Sequence, residues 1–77
     1  MTRLIKWETN ADTCIGIDTG DKVILVGFVD EEERILADFQ AGKIDELVQD
    51  GIGWLGEDAF LDWDEVESDP LGFEVLD

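Results

Sequence analysis

Histidine and tyrosine are absent from this chain, and cysteine and proline occur once each. Without an imidazole the commonest general base of enzymes is missing. Cys14 has no such neighbour to activate it, so it reads as a small buried hydrophobe on a strand rather than a nucleophile. A single cysteine fits a reducing compartment and excludes a cystine-stapled secreted scaffold. No apolar run approaches the ~18 residues needed to cross a bilayer; the longest, Val23 to Val29, has the length of a buried strand. Arg3 and Lys6 are followed by no apolar stretch with a small-residue cleavage site, so no signal peptide is expected. The chain is expected to be soluble, cytoplasmic and unprocessed.

Positive charge is the scarcest commodity. Five bases face twenty-one acids in 77 residues, for a net charge of −16. All five bases (Arg3, Lys6, Lys22, Arg34 and Lys43) lie in the first 43 residues, where nine acids leave that part at −4. The remaining residues, 44–77, hold twelve acids and no base. A net charge of magnitude about 2–8 is enough to keep a small domain soluble, and self-repulsion beyond that works against compaction. A direct nucleic-acid partner is excluded on sign, because the basic footprint of a binder is missing.

What is present is enough apolar surface for one small core. The hydrophobic share is 44%, and a single domain spanning 1–77 is expected, with a net stability of about 3–5 kcal/mol. Arg3–Glu8 reads as a strand. Thr13–Asp18 reads as a second, with Ile15 and Ile17 on one face, and Asp18-Thr19-Gly20-Asp21 is a turn. Lys22–Val29, apolar on both faces, is expected to be a central strand. Asp30 to Phe39 is ambiguous. Asp30 and Glu33 could form a capping box opening a helix, or Glu31–Arg34 could turn a hairpin with Ile35, Ala37 and Phe39 facing inward; the short connection to a strong strand favours the hairpin. Lys43–Asp50 predicts a short helix through Ile44, Leu47 and Val48, with Gly51 at its C′ position, after which Ile52–Gly56 turns the chain. Asp62–Glu67 is extended or a single helical turn, Ser68-Asp69-Pro70 is a breaker, and Phe73–Leu76 closes as an edge strand. The expected fold is α+β: a small, mainly antiparallel sheet of three to five strands with one or two short helices on one face.

Few chemical motifs survive inspection. Gly16, Gly20 and Gly27 do not form a phosphate-cradling pattern. Asp62, Asp64, Glu67, Asp69 and Glu74 are hard oxygen ligands, but a calcium loop begun at Asp62 would place Val66, Glu67 and Phe73 where it needs an oxygen ligand, glycine and glutamate. A loop begun at Asp58 puts Ala59, Phe60 and Leu61 among the ligands. No metal site, no cofactor and no enzymatic activity are expected.

The acids themselves carry the functional reading. Carboxylates two apart on a strand stand ~6.7 Å apart on one face, a spacing open to Asp62 and Asp64 and to Glu65, Glu67 and Asp69. Positions four apart on a helix, such as Glu46 and Asp50, give ~5–6 Å between Cβ atoms. Such rows can imitate the phosphates of a nucleic acid, provided that Trp54, Phe60, Trp63 and Phe73 anchor them to the core. Glu57, Asp58, Asp62, Asp64, Glu65, Glu67 and Asp69 are the main candidate contacts, with Asp45, Glu46, Asp50 and Glu74 secondary. Trp54 and Trp63 are candidate desolvated anchors, although both are more simply read as core.

In size, charge and lack of catalytic groups the chain, above all its acidic stretch Asp45–Asp77, resembles the small acidic inhibitors of phages and mobile elements, DNA-mimic anti-restriction and anti-CRISPR proteins among them. The resemblance is one of composition, without a family motif. It implies a stoichiometric inhibitor, monomeric or weakly dimeric, that occludes the basic groove of a nucleic-acid-binding protein such as a CRISPR effector or restriction-type nuclease. The alternative is a small acidic interaction or regulatory module of a salt-adapted or phage proteome, without mimicry.

Overall fold

The computed structural model describes residues 2–9, 11–67 and 72–77. Three strands form an antiparallel meander: β1 (Arg3–Glu8), β2 (Thr13–Asp18) and β3 (Val23–Phe28). Pairing of Leu4 with Ile17 and of Ile17 with Ile24 stacks branched side chains on one face. The intervening residues Ile5, Trp7, Cys14 and Val23 are thereby sent to the other. The β2–β3 turn is closed by the Asp18 carboxylate, whose Oδ1 accepts the Gly20 N–H at 2.8 Å. Gly20 has φ +100°, which a side chain would oppose. A bulge leaves Val26 as the extra residue of β3, since Gly16 faces Leu25 while Ile15 faces Gly27. A Cβ at Gly27 would lie 2.6 Å from Ile35 Cδ1, so the helix packs where β3 has no side chain.

A 3-10 turn (Val29–Glu31) then leads into α1 (Glu32–Gln40), and Gly42, at φ +83°, starts the reversal into α2 (Ile44–Leu55). The hairpin expected over residues 30–40 is thus a helix. It turns Ile35, Leu36 and Phe39 to the core together, whereas alternating pairing would have left Leu36 outside. No side-chain cap opens it, so the Asp30/Glu33 capping box does not form either. Helix α2 also runs past Gly51, contrary to the expected stop there and the expected turn over Ile52–Gly56. The apolar spacing continues through Ile52 and Leu55, and Gly51 sits where a Cβ would collide with the Leu25 carbonyl oxygen. Gly56, at φ +61°, ends the helix instead.

A second 3-10 turn (Gly56–Ala59) leads to the two-residue strand β4 (Phe60–Leu61), a short helix α3 (Trp63–Glu67) and the edge strand β5 (Phe73–Val75). The sheet order is β4-β3-β2-β1-β5. β2, rather than the more apolar β3, is central, because the two hairpins share it and the short β4 covers only Val23 and Ile24 of β3. The fold is α+β, with a five-stranded antiparallel sheet carrying α1 and α2 on one face. The expected breaker Ser68-Asp69-Pro70 lies outside the described residues.

Two buried clusters hold this together. Leu4, Ile15, Ile17, Ile24 and Val26 meet Ile35, Leu47 and Ala59 beneath α1 and α2. On the opposite face Ile5, Trp7, Cys14 and Val23 pack with Val66 of α3. The last residues are tied to the first strand: the Leu76 N–H donates to the Leu4 carbonyl at 2.8 Å and the Leu4 N–H to Asp77 Oδ1 at 3.1 Å.

Candidate functional site

Among the described residues four acid–base clusters engage Arg3, Lys6, Lys22 and Arg34. Arg3 donates two bonds to Asp18 Oδ2, at 2.7 and 2.9 Å, and its guanidinium stands 5.6 Å from the Phe73 ring centroid. Asp18 is only 4% exposed, so this pair and the Gly20 N–H satisfy a carboxylate that burial would otherwise penalise. Lys6 lies between Glu32 of α1 (3.0 Å) and Glu74 of β5 (3.3 Å). The bond to Glu32, against some desolvation, and then Glu74 raise its pKa above the usual lysine value. Lys22 meets Asp62 at 3.4 Å on the surface. Arg34 reaches Glu31 at 2.9 Å and Asp38 at 3.3 Å on its own helix. Its pKa is raised chiefly by the bond to Glu31, against some desolvation, with smaller contributions from Asp38 and then Asp50. Two candidate contacts, Asp62 and Glu74, are therefore engaged within the chain.

Five others stand differently. Asp45, Glu46 and Asp50 occupy the solvent side of α2, and Glu57 and Asp58 the 3-10 turn that follows; all five are exposed. None of them makes an ion pair among the described residues. Their support is rigid, since Leu47, Gly51 and Ala59 are buried behind them. Asp45 and Glu46 also have a plain structural use, because they sit in the first turn of α2, where the helix dipole favours negative charge. Asp50, Glu57 and Asp58 have no such explanation from α2's own N-terminus.

The remaining acids do not extend this array. Asp64 is exposed on α3, and Glu65 and Glu67 belong to the same helix, so the extended rows expected for Asp62–Asp64 and Glu65–Glu67 are replaced by a helical turn. Burial of Val66 fixes that turn, since it must point to the sheet. Asp69 lies outside the described residues. Because α3 packs on the face of the sheet opposite α2, Asp64 stands apart from the acids of α2 rather than in one lattice with them.

The expected aromatic anchors divide as well. Trp63 is half-buried against the second core and meets Phe73 with ring centroids 5.4 Å apart. Phe60 is exposed, and Trp54 is 60% exposed, the most open large apolar side chain described. Trp54 is nonetheless held, edge to face, by Phe28 of β3 at 5.3 Å and an interplanar angle of 80°. Sequence reading missed Phe28 in this role because the contact joins the end of a strand to the end of a distant helix. The anchoring expected of the large aromatics falls mainly to Leu47, Ala59 and Val66.

Cys14 is buried on β2, and burial followed by Asp12 pushes its thiol pKa upward, which suits a packing role. Among the described residues no group of three or more His, Cys, Asp or Glu could hold a metal ion, and no helix is long and apolar enough to cross a membrane. No family model matches the chain, no curated protein matches it in sequence, and no solved structure matches it.

Proposed function

We propose that this protein is a non-enzymatic, stoichiometric inhibitor that acts in the cytoplasm by presenting carboxylates in place of phosphates to the basic groove of a nucleic-acid-binding protein, of the CRISPR-effector or restriction-nuclease kind. One observation carries the reading: Asp45, Glu46, Asp50, Glu57 and Asp58 lie exposed along α2 and its following turn, without an ion-pair partner among the described residues, on elements fixed by buried residues. The twelve residues of α2 span ~18 Å, or about five steps of duplex at 3.4 Å per step. A cationic groove that fits a short duplex fits this array. Complementary potentials speed encounter toward ~10⁸–10⁹ M⁻¹s⁻¹ at low salt.

The test is capture of the partner from a host lysate, followed by competition. The captured protein is expected to release this chain when nucleic acid is added, and Glu46→Lys with Asp50→Lys is expected to lose capture while Asp21→Lys, on the β2–β3 turn, keeps it. A ternary complex with nucleic acid still bound, or equal capture by both variants, overturns the proposal.

A second reading is favoured by the acids elsewhere. Glu8, Asp12, Asp21, Asp30 and Glu33 are also exposed, at the end of β1, in both hairpin turns, in the first 3-10 turn and on α1. That distribution is what a salt-adapted surface produces, in a small acidic interaction module without mimicry. It is distinguished by unfolding at low ionic strength, which the inhibitor reading does not require.

A further inference from the structure

The molecule contains one guanidinium seat already: Arg3 is held by the Asp18 carboxylate on one side and the face of Phe73 on another. The same two ingredients recur on α2 facing outward. Trp54 stands one helical turn after Asp50, which places their Cβ atoms ~5–6 Å apart, with Glu46 one turn before that. Trp54 is 60% exposed. The ring does not float, because Phe28 holds its orientation. Arg34 of α1 is bound to Glu31 and Asp38 and feels Asp50 only at longer range.

We infer that the Asp50–Trp54 surface is a seat for an arginine side chain of the partner protein, stacked on the indole and paired with the carboxylate. This rests on the proposed binding to a cationic protein and specifies the residue by which that protein is gripped. Arginine fits better than lysine. Its planar, weakly hydrated guanidinium stacks on an aromatic face while donating to a carboxylate in the same plane, whereas an ammonium is a compact, strongly hydrated point charge. A second copy of this chain is an unsuitable occupant, because two surfaces of a −16 protein repel. Exposed tryptophan and arginine are also the residues that most often dominate binding energy at interfaces.

The probes are an oligo-arginine and an oligo-lysine peptide of equal length, titrated into the full chain at low ionic strength and followed through the Trp54 indole N–H resonance. The arginine peptide is expected to shift that resonance and bind about three- to tenfold more tightly than the lysine peptide. Trp54→Leu, which keeps an apolar contact to Phe28, is expected to remove that advantage. If both peptides bind alike, and Trp54→Leu alters neither while Glu46→Lys with Asp50→Lys weakens both, the arginine seat is overturned and the anionic-face reading stands. If neither peptide binds, both fall.

Discussion

Gly51 of α2 rests directly against the Leu25 carbonyl of β3, with no room between them for a methyl group. The helix that carries Asp45, Glu46 and Asp50 is therefore set on the strand at backbone distance. Gly51→Ala should gain ~1 kcal/mol of helix propensity and lose more to the collision, for a net destabilisation of about 1–3 kcal/mol. Gly53→Ala, two positions on in open space, should instead stabilise by about 0.5–1 kcal/mol. Urea midpoints of the two variants check the pair, and a stabilised Gly51→Ala would contradict the close approach.

The Arg3–Asp18 pair should matter more than any surface pair. Replacing Arg3 by Met leaves a nearly buried carboxylate with only the Gly20 N–H, at a cost of about 2–3 kcal/mol. Lys22→Met breaks an exposed pair with Asp62 and should change stability by less than ~1 kcal/mol. Equal unfolding midpoints for the two variants would contradict this ranking.

Alkaline pH should loosen the tie among β1, α1 and β5. The folded pKa of Lys6 is raised by Glu32 and Glu74, so the folded state holds that proton more firmly than the unfolded chain does. The stabilisation is complete below the ordinary lysine value of 10.5 and is lost as pH rises through the higher folded value. A stability profile from pH 9 upward should fall in the Cys14→Ala protein, which removes the thiol's own alkaline titration. It should fall less when Lys6→Met is added.

Cys14 should behave as an unreactive thiol. Burial raises its pKa above the ordinary thiol value of 9.0, so both access and thiolate fraction are low in the folded state. Alkylation at pH 8 should be slow in the native protein and rapid in denaturant. Native labelling at the denatured rate would show that β2 opens readily.

The strands and their facing were legible because alternation is a local property: Ile15 and Ile17 declare the inner face of β2 in three residues. The short helix from Ile44 was legible for the same reason, and its extension was also present in the spacing of Ile52 and Leu55. Gly51 obscured it, since a glycine that permits close packing and one that ends a helix look alike in sequence. Residues 30–40 were ambiguous because Ile35 and Phe39 satisfy both periods, and only Leu36 separates them. Among the candidate contacts, the exposure of Asp45, Glu46 and Asp50 followed from the apolar stripe opposite them. The pairing of Asp62 with Lys22 and of Glu74 with Lys6 did not, because it depends on which strands become neighbours. Nor did the separation of α2 from α3 by the sheet.

The juxtaposition of Ile5 with Val75 shapes how the molecule assembles. The β1–β2–β3 meander needs only short loop closures and can form early, whereas docking of β5 must gather the ends of nearly the whole chain. Until that final strand arrives, the Leu4 N–H and carbonyl that receive Asp77 and Leu76 stand open to water or to another polypeptide. A bulky fusion appended after Asp77 would crowd this closing step, because Asp77 and Leu76 are the residues that bond to Leu4.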